Sequence, residues 1–266
     1  MYGMLIDVTK CTGCEQCVAA CVAANGLSPE AADRDRAVTP DGLSANRFLT
    51  LQPLGDSGRF ARRSCMHCLE PSCVSACLVG SLEKTPSGAV VYDGDKCIGC
   101  RYCMLACPFH VPRYEWDTTT PKVKKCHLCH ERLGTDGQPA CVEACPNQAL
   151  AFGDREQLLA KARGLLRDHP DRYIQKIWGE SEWGGTSLLS VSDVDLTPAG
   201  WSVQKASAIP DITGPLIEKT PWIGLTVGAS LLGLSWIIRR RNEMMALKAA
   251  EVPSAKGGED GEVDHD

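Results

Sequence analysis

Cys97-Ile98-Gly99-Cys100-Arg101-Tyr102-Cys103-Met104-Leu105-Ala106-Cys107-Pro108 sets four cysteines at C-x2-C-x2-C-x3-C and closes on a proline. The same spacing occurs at Cys11, Cys14, Cys17 and Cys21. Two further groups vary only in the middle gap: Cys65, Cys68, Cys73 and Cys77, and Cys126, Cys129, Cys141 and Cys145. The 16 cysteines of this 266-residue chain fill these four groups with none left over. The surroundings repeat too. Asp7-Val8-Thr9-Lys10-Cys11 matches Asp93-Gly94-Asp95-Lys96-Cys97, and Pro71-Ser72-Cys73-Val74-Ser75-Ala76-Cys77 matches Pro139-Ala140-Cys141-Val142-Glu143-Ala144-Cys145.

The spacing has a physical reason. A C-x2-C-x2-C loop wraps three thiolates around three corners of a [4Fe–4S] cubane, with its backbone N–H groups free to point at the sulfurs. The fourth cysteine, three residues on, projects toward a neighbouring cluster. Gly13 and Gly99 stand where each loop is tightest, and Pro108 and Pro146 follow fourth cysteines. Leu78 replaces that proline after Cys77, which predicts a looser turn there. At four thiolates per cubane, sixteen make four clusters. A disulfide scaffold is normally short and secreted. Zinc ribbons use pairs of cysteine pairs, without triplets followed by a fourth. Isolated redox C-x-x-C pairs leave four complete quartets unexplained.

The chain is 44% apolar and 23% charged, with a net charge of −5, which excludes a general nucleic-acid binder with a basic surplus. Aromatics are only 6%, so a large apolar core does not organise the fold. Leu82–Tyr92 reads as a hairpin turning at Pro86-Ser87-Gly88. Asp154, with Gln157 three residues on, predicts a capped helix whose Leu158, Leu159, Ala162, Leu165 and Leu166 share a face, ending before Pro170. Thr186–Val191 reads as a short strand. The expected fold is α+β: two interleaved ferredoxin-like modules with four clusters over 1–153, a covering helix and strand over 154–196, an extended strap over 197–219, a transmembrane helix over 220–238 and a tail over 239–266 whose end, from Val252, is disordered.

Thr220–Ile238 holds 19 residues without a charge, about 28 Å of helix against a hydrocarbon core of about 30 Å. Trp222 and Trp236 stand near its ends, and Gly224 and Gly228 allow close helix packing. Arg239, Arg240 and Arg241 follow, against Glu218 and Lys219 on the other flank. The positive-inside rule therefore predicts a cytoplasmic tail and a cysteine-rich domain on the outer, periplasmic side of the inner membrane. The opening residues carry no twin-arginine or secretory pattern, so the expectation is a subunit carried across the membrane by a partner with its own signal.

The four groups, the Gly3-Met4-Leu5-Ile6-Asp7 opening, the Cys107-Pro108-Phe109 segment leading to Pro112-Arg113-Tyr114, and the single C-terminal span resemble the four-cluster iron–sulfur subunits of membrane respiratory oxidoreductases. The resemblance is to subunits of the formate dehydrogenase-N β and hydrogenase-2 ferredoxin-like kind, over about residues 2–240. The resemblance implies crossed ligation. Cys11, Cys14 and Cys17 would join Cys145, and Cys126, Cys129 and Cys141 would join Cys21. Cys97, Cys100 and Cys103 would join Cys77, and Cys65, Cys68 and Cys73 would join Cys107. Some relatives lack the cysteine at the position of Cys73; its presence here implies four full cubanes. The resemblance also implies a large catalytic subunit (molybdenum, tungsten or nickel–iron) beside the group one/four pair, and a membrane subunit carrying haem b or a quinone site beside the group two/three pair.

Arg59, Arg62, Arg63, Arg101, Arg113, Lys122, Lys124 and Lys125 crowd the cluster loops, either raising cluster potentials or serving as surface and subunit contacts. His67 and His127 lie inside cluster loops and, with every thiolate allocated, read as packing or hydrogen-bonding residues. No G-x-G-x-x-G, molybdenum, nickel or flavin motif and no nucleophile arrangement occurs, so no catalytic residue is expected. The reading is an electron-transfer subunit of formate dehydrogenase or hydrogenase type. A terminal reductase of polysulfide or nitrite type, with reversed electron flow, is the alternative, and a zinc-stabilised membrane-tethered interaction module is the remote one.

Overall fold

The computed structural model describes residues 1–116, 118–133, 137–201 and 207–251. The chain opens with β1 (Tyr2–Asp7), a 3-10 turn, α1 (Gln16–Ala24), α2 (Pro29–Val38), β2 (Thr50–Pro53) and β3 (Phe60–Arg63). It continues through α3 (Ser72–Ser75), β4 (Leu82–Lys84), β5 (Val90–Tyr92), α4 (Tyr102–Ala106), β6 (Arg113–Tyr114) and β7 (Val123–Lys124). It ends with α5 (His130–Leu133), α6 (Ala140–Glu143), β8 (Leu150–Asp154), α7 (Arg155–Asp168), β9 (Leu188–Val191) and α8 (Ile209–Glu251). Helices and strands are mixed and short, and the cysteine loops fill the gaps between them.

Strand β1 is buried on both faces after its first residue, which is why it reads as an unbroken apolar run. It pairs antiparallel with β8, from Tyr2↔Asp154 to Ile6↔Leu150, and parallel with β9, from Met4↔Leu188 to Asp7↔Val191. Its side chains then divide by the two-residue period of a strand. Leu5 joins Leu189 and Val191 against Leu158, Leu159, Ala162 and Leu166 of α7, while Met4 and Ile6 join the cysteine-rich core with Val18, Leu51 and Ala61. Full burial of each such leucine contributes about 1.5–3 kcal/mol. Helix α7 begins as the sequence indicates: Asp154 accepts hydrogen bonds from the N–H groups of Glu156 and Gln157 at 3.0 and 3.3 Å.

The segment expected as a separate cover, 154–196, is part of the cluster-bearing unit. Strand β9 supplies the hydrogen-bond partners that β1 would otherwise lack on its second edge, and one compact unit runs Met1–Ile212. Within it α1 packs on α6 and α3 on α4, so helices next to groups one and four meet, as do those next to groups two and three. The expected hairpin is present as β4–β5, with Leu82↔Tyr92 and Lys84↔Val90 in register.

The expectation of an extended strap over 197–219 is corrected. Thr197–Ala199 is a 3-10 turn, and the chain is helical from Ile209. Prolines and glycines suggest a break, but Pro210 lies in the first helical turn, where its missing N–H costs nothing. Pro215 and Pro221 lie inside the helix, each removing a single backbone bond. The 220–238 stretch is helical throughout, and α8 is long and apolar enough to cross a membrane, with mean hydropathy 1.5 over its best window and none of that window buried. Its hydroxyls bond back to their own helix, Thr220 to the Leu216 carbonyl and Ser230 to that of Thr226, both at 2.8 Å. The tail end expected to be disordered, 252–266, lies outside the described residues.

Candidate iron–sulfur centres

Groups one and three are built alike down to the backbone. Gly13 and Gly99 take φ of 70° and 72°, and the residues after the second cysteine, Glu15 and Arg101, take 57° and 63°. A Cβ on Gly13 would come within 2.6 Å of the Phe60 ring, and one on Gly99 within 2.7 Å of the Tyr114 hydroxyl. Only glycine fits both the space and the left-handed conformation. The turn aims an amide at the first sulfur of each loop. Gly13 N–H bonds Cys11, Gly99 N–H bonds Cys97 Sγ at 3.4 Å, and in group four Leu128 N–H bonds Cys126 Sγ at 3.4 Å.

Three of the four fourth cysteines share a second device. Gly80, His110 and Gln148, three residues after Cys77, Cys107 and Cys145, all have positive φ and donate N–H to the cysteine carbonyl at 3.3, 3.0 and 3.2 Å. The looser turn expected at Leu78 is therefore absent. Glycine at position 80 closes it without a proline, and Ser81 N–H bonds Cys77 Sγ at 3.1 Å.

Distant cysteines meet. Cys11, Cys14, Cys17 and Cys145 line one apolar hollow with Phe60 and Leu51, and Cys21, Cys126, Cys129 and Cys141 line another with Phe48 and Leu128. The His127 ring ties group four to group one: its Nε2 meets Asn25 Oδ1 at 2.6 Å, and Asn25 Nδ2 donates to the Cys21 carbonyl at 2.6 Å. Asn25 carries no metal-ligand signature and is not legible from the sequence. On the other side, Cys68 lies in the electrostatic field of Cys65, Cys107 and Cys73, and Cys103 in that of Cys100, Cys77 and Cys97.

Burial pushes these thiols up, Cys17 to about 11 and Cys73 and Cys126 to about 12. At neutral pH they hold their protons until a metal displaces them. Among the described residues no three His, Cys, Asp or Glu side chains close on a single point as one zinc ion requires; the thiols ring hollows instead. Arg62 Nη1 and His67 Nε2 are among the buried donors of the described residues that lack any protein partner. His67 Nδ1 accepts the Val90 N–H at 2.9 Å, which leaves Nε2 carrying the proton of a neutral ring. Its pKa is driven well down by burial, then by Lys125. Rings of thiols with unpartnered donors beside them fit anionic, sulfur-rich clusters.

The cations of the cluster loops separate into two kinds. Arg59 is paired with Asp193 at 2.6 Å, Arg63 and Arg113 with Asp41, Lys122 with Asp95 and Lys124 with Glu115. Arg101 lies over Tyr114 and Trp116, 4.7 and 4.5 Å from their ring centres. Arg62, Lys125 and Lys84 instead lie among the thiols. Lys84, which the sequence does not single out, is pushed down to about 8 by burial, against the raising effect of Cys68 and Cys65. It donates to the carbonyls of His67 and Gly88 at 2.9 and 2.8 Å.

Residues 57–155 match the family model of the 4Fe-4S dicluster domain. A protein of Nitratidesulfovibrio vulgaris is 37% identical over 259 residues, covering 94% of this chain and 70% of its own. The hydrogenase-2 operon protein HybA of Escherichia coli O157:H7 is 36% identical over 229 residues, 72% of this chain and 70% of its own. One component of the anaerobic dimethyl sulfoxide reductase of Escherichia coli K12 is 38% identical over 169 residues, 64% of this chain and 81% of its own. The protein belongs to the ferredoxin-like iron–sulfur subunits of respiratory oxidoreductases. As such a subunit it transfers electrons within a membrane respiratory complex and carries iron–sulfur clusters.

Proposed function

We propose that this subunit holds four [4Fe–4S] clusters in two interleaved ferredoxin-like modules and relays electrons between a catalytic subunit and a membrane subunit. The observation that carries the reading is the meeting of Cys145 with Cys11, Cys14 and Cys17 around one hollow, and of Cys21 with Cys126, Cys129 and Cys141 around the next. Crossed ligation follows: each loop gives three thiolates to one cluster and its fourth to the neighbour. The module boundaries rest on the strands. Strand β1 leads into group one, and β8 leaves group four as its antiparallel partner; β5 leads into group three, and β4 leaves group two as its partner.

Bound cubanes supply one-electron carriers at fixed positions. The chain's own residues fix the loops through left-handed turns, exclude water with Phe60, Phe48, Leu51 and Leu128, and offer amide and side-chain donors to the sulfurs. No side chain is assigned a catalytic role. Quartets of thiols around a hollow favour cubanes over a zinc-stabilised module.

The two ends of the relay differ in chemistry. Positions Thr12, Glu15, Gln16 and Ala19 of group one correspond to Ile98, Arg101, Tyr102 and Leu105 of group three. Ile98, Leu105 and Leu78 are 64, 81 and 72% exposed, an apolar surface suited to an integral membrane partner with haem b or a quinone site. The polar group one end suits the catalytic subunit. Helix α8 anchors the chain in the inner membrane, with Arg239–Arg241 on the cytoplasmic side and the cluster unit on the periplasmic side. The HybA relative favours a complex of hydrogenase type that donates electrons toward quinone. The dimethyl sulfoxide reductase relative favours the second reading, a terminal reductase with the opposite flow.

Isolation of the detergent-solubilised complex through a tag on this chain tests the proposal. Recovery with a large subunit holding stoichiometric nickel, molybdenum or tungsten is expected, and the metal selects between the readings. A chain recovered from intact membranes with no metal-bearing partner contradicts it.

A further inference from the structure

Among the described residues, Arg62 is the one cluster-loop arginine that combines deep burial with the absence of a carboxylate. It leaves β3 toward the core and is 5% exposed. Its Nε donates to Ser64 Oγ at 3.1 Å, its guanidinium bonds the Cys141 thiol, and its Nη1 has no partner. Among the described residues, its neighbours Arg59 and Arg63 on the same short segment both hold carboxylates, Asp193 and Asp41, and Arg62 holds none. A buried cation without a counter-charge is costly to keep, and an anion supplied from elsewhere offsets that cost.

Its position identifies the anion. Arg62 lines both hollows of the group one/four side, the one ringed by Cys11, Cys14, Cys17 and Cys145 and the one ringed by Cys21, Cys126, Cys129 and Cys141. Its charge favours the thiolates of Cys11, Cys17, Cys21, Cys126 and Cys129 alike, from both quartets. No other cation of the cluster loops among the described residues occupies such a place; Lys125 acts on Cys73 and Cys107, on the other side of the relay.

We propose that Arg62 is a shared positioning cation that raises the reduction potentials of the two group one/four clusters together and holds them at neighbouring values. The inference rests on the four-cluster reading above. Each cubane with its four thiolates carries about −2 when oxidised and about −3 after taking one electron from the adjoining carrier, with no proton or bond exchanged. A fixed positive charge in a water-poor setting stabilises the more negative state, and one charge lining both hollows does so for both centres. The free Nη1 is the donor left to serve cluster sulfur.

The test is redox titration of the holo-complex, followed by paramagnetic resonance, with iron and acid-labile sulfide measured on the same samples. Arg62→Met keeps the buried volume and removes the charge. At unchanged iron content, the two centres sensitive to Cys11→Ser and Cys126→Ser should both move to lower potential while the other two stay in place. Arg62→Lys, which keeps the charge without the planar fork, should return both most of the way. If Arg62→Met loses those two clusters, the Lys variant decides: full iron with near-native potentials supports the shared cation, and loss of iron there as well overturns it in favour of a packing role. Unchanged potentials in Arg62→Met at full iron overturn the inference and leave the cluster reading intact. Native complex without iron and sulfide overturns both.

Discussion

Cys11 and Cys145 line the same hollow, although one stands at the start of the first cysteine group and the other at the end of the last. The contact is a consequence of β1 and β8 being register partners: the strand that delivers group one and the strand that drains group four run side by side, from Tyr2↔Asp154 to Ile6↔Leu150.

Crossed ligation makes a prediction at the level of single cysteines. Cys145→Ser and Cys11→Ser are expected to alter the same paramagnetic centre, and Cys126→Ser a different one. If Cys145→Ser reproduces the spectrum of Cys126→Ser, each group serves its own cluster.

Gly13 gives a steric prediction. Its φ of 70° costs an L-residue about 1–2 kcal/mol, and a Cβ there meets the Phe60 ring at 2.6 Å. Gly13→Ala should therefore lose about four irons per chain, one cubane. Gly153→Ala, where a Cβ meets nothing within 4 Å, should lose none. Equal iron in both variants contradicts the account of the loop.

Asp41 holds Arg63 and Arg113 together. Burial opposes its ionisation, but the hydrogen bond and charge of Arg113 outweigh that and hold its carboxyl below the usual range. A depressed carboxylate contributes stability above its unfolded pKa and loses it only as pH falls through the folded value. Asp41→Asn should thus cost about 1–3 kcal/mol in urea-induced bleaching, a gap that stays constant from about pH 8 down to about pH 5. A gap that already shrinks between pH 7 and 5 contradicts the depressed pKa.

The cysteine loops are legible in the sequence because cubane geometry fixes residue spacing, and the repeat around Asp7 and Asp93 exposes both loop pairs. The α7 helix is legible through Asp154 and its leucine face. What is not legible depends on pairing in space. Nothing in Leu188–Val191 states that it runs parallel to β1, so the segment reads as a cover. Asn25 and Lys84 act through contacts with His127 and the His67 carbonyl, which spacing does not encode. The strap expectation departs from the structure over 209–219 because prolines 210 and 215 read as breaks, where one opens a helix and the other merely interrupts its ladder.

Orientation is expected to follow Arg239–Arg241. A reporter fused after Asp266 should work only in its cytoplasmic form, and replacing the three arginines by asparagine should erode that bias. Protease applied to the outer face should reach the cluster unit. Protection of that unit in intact cells contradicts the proposed topology.

The most direct test of the account is the iron and acid-labile sulfide content of the purified native complex, assigned to this chain. The four quartets predict about sixteen of each per chain. About twelve irons would mean that one quartet holds no cluster, and about fifteen that one quartet, with Cys73 the first suspect, holds a cluster short of one iron. Stoichiometric zinc without labile sulfide would contradict the account at its root.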